Sequence, residues 1–135
     1  MIETYKIKES GYHPFLIREG WQIAQLNFVE EQRINNINKV EVHHHTDEVF
    51  VLLKGEAILI LAEIKEKIPV FEVLLMEPFV TYNVLKGSWH NIAMEEKSEV
   101  LIVEKSNTHL NDVSYMELSP DKITELRKKI NEILE

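Results

Sequence analysis

Residues 41–57 read EVHHHTDEVFVLLKGEA. His43, His44 and His45 stand at the end of one run of strand-forming residues, 39–43, and Glu48 opens another, 48–53. Successive side chains of a strand point to opposite faces, so His43 and His45 share one face and His44 takes the other. Imidazole nitrogen and carboxylate oxygen together suit divalent first-row metals such as Zn, Fe, Mn, Ni or Cu. Lys54 and Gly55 then predict a tight hairpin turn, because glycine supplies the positive φ that such a turn needs.

Outward from this stretch, short runs rich in Val, Ile, Phe, Tyr and Leu recur at 21–29, 39–43, 48–53, 56–62, 70–76, 80–85, 89–94 and 100–104. Charged or turn-forming residues separate them, Lys65, Glu66 and Lys67 before Pro69 at a strand start, and Lys86, Gly87 and Ser88 further on. The pattern predicts an all-β sandwich or barrel of roughly eight strands. Runs 57–61 and 100–103 are apolar on both faces, so the face turned away from the interior needs cover from a partner subunit, a terminal strand or a C-terminal helix. Such a helix is predicted over about 120–134. Ser119 suits the N-cap, Pro120 the first turn and Asp121 the positive end, and Ile123, Leu126, Ile130 and Leu134 recur at helical spacing. Residues 30–38 read as a polar loop.

The chain has 135 residues, the size of one domain. Its 15 Lys and Arg against 23 Asp and Glu leave a net charge of −8, a field that repels phosphate backbones and anionic lipid, so nucleic acid and membrane surfaces are not expected partners. With 0 cysteines, disulfides, thiolate metal sites and a Cys nucleophile are excluded. The longest apolar runs fall far short of the ~20 residues of a membrane helix. Residues 1–10 carry charges where a signal peptide would be apolar. A soluble, cytoplasmic protein is the expectation.

A second chemical element lies at residues 86–92, KGSWHNI, where a glycine turn feeds a strand that opens with Trp89 and His90. A barrel sets strands distant in sequence side by side, which would let His90 complete a site begun by the histidine run. Together the two stretches resemble the motifs of the cupin superfamily. In the first, a His-x-His pair is followed by Glu and, after six more residues, by Gly; Glu48 and Gly55 match. In the second, Gly, two residues and His occur in that order; Gly87 and His90 match. The likeness spans roughly residues 21–105 and is closest to small single-domain bacterial cupins.

The resemblance implies a double-stranded β-helix, the cupin jelly-roll barrel, over about 20–118 with a C-terminal α-helix. It implies a divalent transition metal on His43, Glu48 and His90. The first motif histidine is replaced by Glu41, so the fourth ligand is either Glu41 or His45. Leu85 and Met94 stand where the second motif usually has Pro and Asn, and the glycine that usually precedes the first motif is missing. A small oxygen-rich ligand such as a sugar or keto acid in the barrel, and a homodimer, are further expectations. Resembling proteins include isomerases, dioxygenases and non-enzymatic binders, so no reaction is selected. A metal-free binding or structural barrel is the alternative.

The remaining candidates carry less. Tyr82 either offers its hydroxyl to a ligand or serves as a wall aromatic. Trp89 should face away from His90. Asp47 reads as a solvated carboxylate at a strand start and His44 as exposed. Glu104 is an inward acid or the wet end of its strand, the latter favoured. His13 and His109 sit in expected loops without partners. Phosphate loops, a GxSxG elbow and an HExxH helix are absent from the sequence.

Overall fold

The computed structural model describes residues 1–135. Ten strands are formed: β1 Gly11–Arg18, β2 Trp21–Asn27, β3 Lys39–Val42, β4 Glu48–Lys54, β5 Ala57–Lys65, β6 Ile68–Leu75, β7 Thr81–Val84, β8 Trp89–Met94, β9 Glu99–Glu104 and β10 Ser114–Glu117. A short helix α1, Thr108–Asn111, precedes β10, and α2, Pro120–Leu134, ends the chain. The strands make two five-stranded antiparallel sheets, ordered β1-β2-β9-β4-β7 and β10-β3-β8-β5-β6. This is the jelly-roll arrangement, all-β with a C-terminal helix.

Strands β1 and β10 were not among the expected runs; in β1, a register shift between Pro14 and Leu16 interrupts the alternation. The corner at Lys54–Gly55 also differs from expectation. It is not a hairpin, since β4 and β5 belong to different sheets. Gly55, at φ +85°, turns the chain from one sheet to the other, and a Cβ there would lie 2.3 Å from Ser98 Oγ. That hydroxyl donates to Glu56 O at 2.8 Å and accepts from Glu56 N at 2.9 Å, which holds the corner closed. The true two-residue hairpin joins β5 to β6 through Glu66 and Lys67, both at positive φ (51° and 68°), as the twist of paired strands favours. Pro69 falls on edge strand β6, where its missing N–H does no harm.

Two apolar layers follow from the alternation. Between the sheets lie Leu26, Phe50, Leu52, Leu59, Met94 and Val100. Behind the second sheet, Val40, Ile58, Ile60, Phe71 and Ala93 meet Leu126 and Ile130 of α2. The two-sided apolar run in β5 is thereby explained: Ala57 and Leu59 face inward, Ile58 and Ile60 face the helix. Ser119 Oγ accepts the Lys122 N–H at 3.3 Å and caps α2 as its sequence predicts. On the first sheet, the segment before β1 is held by side chains of β2. Gln25 and Asn27 donate to Ile7 O, each at 3.2 Å, and Asn27 to Glu9 O at 2.9 Å. No helix is long and apolar enough to cross a membrane.

Register then sets the site. Inward positions run Glu48, Phe50, Leu52 on β4, His90, Ile92, Met94 on β8 and Val100, Ile102, Glu104 on β9. Each strand is polar at one end only; pairing sets the polar ends of β4 and β9 side by side in the first sheet, and that of β8 meets them across the barrel, His90 Nε2 lying 2.7 Å from Glu48 Oε1.

Candidate metal centre

Strand β3 brings Glu41 opposite His90 of β8. His43 follows one residue beyond the end of β3, and Glu48 is the first residue of β4. One ligand atom from each of Glu41, His43, Glu48 and His90 lies within 4.8 Å of all the others. His43, Glu48 and His90 are buried and Glu41 half-buried.

The rings are oriented from behind. His90 Nδ1 donates to Ser88 O at 2.9 Å and His43 Nδ1 to Asp112 O at 2.6 Å. Both Nε2 atoms therefore face the cluster, 2.7 Å (His90) and 3.2 Å (His43) from Glu48 Oε1. Phe50 packs edge-on to the His90 ring with centroids 6.0 Å apart. Asp47, expected to be a solvated carboxylate, ties the glycine turn to this end of the barrel by accepting from Lys86 N at 2.9 Å and Asn83 Nδ2 at 3.1 Å. Gly87 N donates to His43 O at 2.7 Å, which joins the two motif stretches through the backbone.

The electrostatics follow from this packing. Burial pulls the His43 imidazolium down, but the hydrogen bond and negative charge of Glu48 outweigh it and push it up to about 9. His90 moves up against the same burial penalty and through the same partner. Burial pushes Glu48 up, while bonds from His43 and His90 outweigh burial and hold it at about 2. Burial, and then the charge of Glu48, raise Glu41.

Two imidazole nitrogens and two carboxylate oxygens converging at this distance fit a divalent first-row cation by donor type, and the two carboxylates would neutralise its charge. The four groups line a cavity of about 400 Å³ between the sheets, with Phe50 and Ile102 among its apolar walls and the exposed Glu31 and Tyr115 on its open side.

Family models and curated protein sequences give no match to this chain. Solved structures do. A cupin-2 domain containing protein from Shewanella frigidimarina is similar with a TM-score of 0.51 and 16% identity, over 73% of this chain and 84% of that one. The chain has the cupin fold. A variant of Streptomyces PAC13 with uridine is similar at a TM-score of 0.58 and 8% identity, over 89% of this chain and 91% of that one. BH2720 from Bacillus halodurans is similar at 0.56 and 12% identity, over 87% and 84% of the two chains.

Within the cupin barrel, the sequence candidates fall on both sides of the cavity wall. The structure gathers Glu41, His43, Glu48 and His90. It leaves His45 outside: that residue is exposed, and its backbone N–H donates to Asp112 Oδ2 at 2.8 Å. Strand β3 ends at Val42, so strict alternation does not carry on through 43–45, and the fourth donor position falls to Glu41. His44 is exposed as expected. Tyr82 does not line the cavity. Its hydroxyl accepts the Glu77 N–H at 2.9 Å and its ring packs against the core, the wall role rather than the ligand role. Trp89 faces away from His90 into the layer under α2.

Three further corrections concern residues set aside on sequence grounds. Glu104 is an inward acid with 5% exposure, not a wet strand end; it shares the parity of Val100 and Ile102. His109 lies on α1, lines the cavity and contacts Gln22. His13 is in β1 and bonds Ser10 O at 2.8 Å. Tyr12, Gln22 and Asp112 were missed altogether. Their only sequence signal is polarity, which surface residues share.

Proposed function

We propose that this cupin barrel binds a divalent transition metal through Glu41, His43, Glu48 and His90 and holds a small oxygen-rich molecule beside it in the cavity. The observation that carries the reading is the convergence of four nitrogen and oxygen donors, three of them buried, on one point of the cavity wall. Burying so many ionisable groups together is expensive unless their charges are used. When bound, the metal would supply Lewis-acid polarisation of a ligand oxygen or a position for an oxidant. The chain's own residues do the rest. Ser88 O and Asp112 O orient the two imidazoles with Nε2 toward the cavity. Phe50 and Ile102 present a dry wall where a ligand would lie. PAC13, of similar fold, is described with uridine, which supports a small-molecule reading of the interior.

The test is metal analysis of protein purified without a histidine tag or chelating column. Near-stoichiometric metal that is lost in His43→Ala and His90→Ala, with the far-ultraviolet spectrum retained, is the expected result. Metal-free protein that gains no thermal stability from added Zn, Mn, Fe, Ni or Cu overturns it. A second reading, a metal-free binding module, draws on the ion pairs Glu48 makes with His90 and His43, which satisfy these groups without a cation. The same measurement separates the two.

A further inference from the structure

The outer faces of the two sheets are finished differently. Helix α2 covers that of the second sheet. On the first, Phe50, Leu52, Val100 and Ile102 turn inward, so Val49, Val51, Leu53, Leu101 and Val103 point outward, half-buried or exposed, with no other strand or helix packed on them. Phe79, just before β7, adds to this surface. It is 81% exposed at φ +67°, a backbone that a bulky residue rarely adopts, and its N–H reaches Leu52 O at 3.3 Å, beside Leu53. Glu99 is the one charged residue at the outward positions of β4, β7 and β9, and Lys54 pairs with it at 3.8 Å. A chain of net charge −8 thus keeps an almost uncharged apolar face, the one surface on which two copies approach without repulsion.

Residues 1–10 lie along the other half of this face. Glu9 O and Ile7 O accept from Asn27 and Gln25 of β2, Tyr5 stacks on Phe15 of β1 with centroids 5.3 Å apart, and Glu3 pairs with Arg18, which stands opposite Trp21. The stretch from Glu9 back to Glu3 therefore matches Asn27 back to Trp21 residue for residue, the course of an extended strand running parallel to β2. Residues 1–10 nevertheless make no backbone–backbone hydrogen bond, and β7, the edge of the first sheet, has one side unpaired. A strand without a ladder shares a face with an open sheet edge.

We propose that the chain is a twofold dimer packed through the outer faces of its first sheets, in which residues 3–9 of each copy pair with β7 of the other. Geometry chooses a second copy as the occupant. Packed sheets lie ~10 Å apart and neighbouring strands ~4.8 Å apart. With the twofold axis parallel to the strands and passing at β4, β7 of one copy lies over β9 of the other. It is then in the same layer as the segment that rides on β2, one strand spacing away. That segment runs antiparallel to the partner's β7, because β2 and β4 are each antiparallel to β9, and β7 to β4. The same pairings bring Ile7 level with the partner's Thr81 and Tyr5 level with the partner's Asn83. The sides agree as well: Tyr5 and Ile7 face their own sheet, and Thr81 and Asn83 are outward positions of β7. The partner's Phe79 enters the apolar shelf near Leu53 and Leu101.

Five strands of about six residues span roughly 500 Å² in projection. The pleat and the two added strand seams bring this toward the ~800 Å² per partner of a standard interface. An isologous contact needs one self-complementary patch, and a bare shelf beside a raised strand is such a patch. The proposal is independent of the metal reading.

The experiment is sedimentation velocity on the untagged full chain, with amide exchange followed by NMR. A dimer dissociating at ~10 μM or tighter is expected. Concentrating the protein should slow exchange at alternate amides of residues 3–9 and on the open side of β7, none of which has a backbone partner within one chain. Phe79→Ser and Val51→Glu should each weaken the dimer at least ~10-fold with the far-ultraviolet spectrum retained. Phe79 is exposed and carries the test should Val51→Glu fail to fold. Leu74→Glu, at an exposed apolar position of β6 in the other sheet, should leave association unchanged.

A chain that stays monomeric when concentrated, which would leave the face to some other partner or to none, overturns the proposal. So does a dimer whose amides at residues 3–9 exchange freely, and so does one that Leu74→Glu weakens while Phe79→Ser does not.

Discussion

His43 Nδ1 donates to the backbone carbonyl of Asp112, 69 positions further along the chain, at 2.6 Å. The Asp112 carboxylate meanwhile accepts the backbone N–H groups of His44 and His45, each at 2.8 Å. Burial would raise this carboxyl, but the two amides outweigh it and hold it below the usual range. The loop after α1 therefore grips the turn that carries His43, and that grip points the other ring nitrogen at Glu48.

Asp112→Ala removes both carboxylate bonds while sparing the carbonyl. Loosening a ligand's support typically lowers metal affinity about 10- to 100-fold. That loss is expected in zinc competition against a chromophoric chelator, with Asp112→Asn intermediate. Wild-type affinity in the alanine variant would show that the turn holds its shape unaided.

The metal-free protein should be most stable in mild acid. His43 is pushed up to about 9 by Glu48 against its burial, and Glu104 up to about 8 by burial and then by Glu48. The folded state thus binds more protons than the unfolded one from the ordinary carboxyl value of 4.5 upward to about 9. Stability falls as pH rises through that window. Glu48, held at about 2, works in the opposite sense: its contribution is present above 4.5 and is lost as pH falls through about 2. Melting of EDTA-treated protein across pH 3 to 9 should give a maximum near about pH 5. Saturating zinc should flatten the alkaline decline, because the metal takes the deprotonated ligands. A maximum above neutrality in metal-free protein would contradict this.

Gly55→Ala meets both a left-handed backbone and a neighbour at 2.3 Å, Ser98 Oγ, with the Ser98 Cα 2.7 Å away. Urea denaturation should show a loss of about 2–4 kcal/mol from strain and overpacking. Gly87→Ala, at φ +79° with nothing within 4 Å, should cost less, about 1–2 kcal/mol.

Ile130 of α2 is wholly buried against the outer face of the second sheet. Ile130→Ala should cost about 2–5 kcal/mol in urea, by lost burial and the cavity left behind. Because that layer lies behind the sheet, zinc affinity measured well below the unfolding transition should stay at the wild-type value.

Local pattern made much of this molecule legible. Strand runs with a period of two, the cap and spacing of α2, and the pairing of a histidine run with Glu48 are short-range properties, fixed by backbone sterics and side-chain alternation. The parity of Glu104 with Val100 and Ile102 was equally readable, yet a terminal acid on a strand faces water more often than a cavity.

Other features depended on which segments become neighbours. Whether Glu41 or His45 joins His43 turned on β3 ending at Val42, a consequence of how Asp112 and Gly87 hold the turn. Lys54–Gly55 looks like a hairpin in sequence and is a crossing between sheets, since glycine permits both and only the pairing of β4 with β9 and of β5 with β8 chooses. The hydrogen bonds that join Gln22 to Tyr12, Glu104 and His109 draw on residues whose polarity alone is that of any surface. Sequence by itself determined eight of the ten strands, the C-terminal helix and the kinds of ligand atom available; tertiary structure decided their company, because burial and hydrogen bonding belong to contacts between segments far apart in the chain.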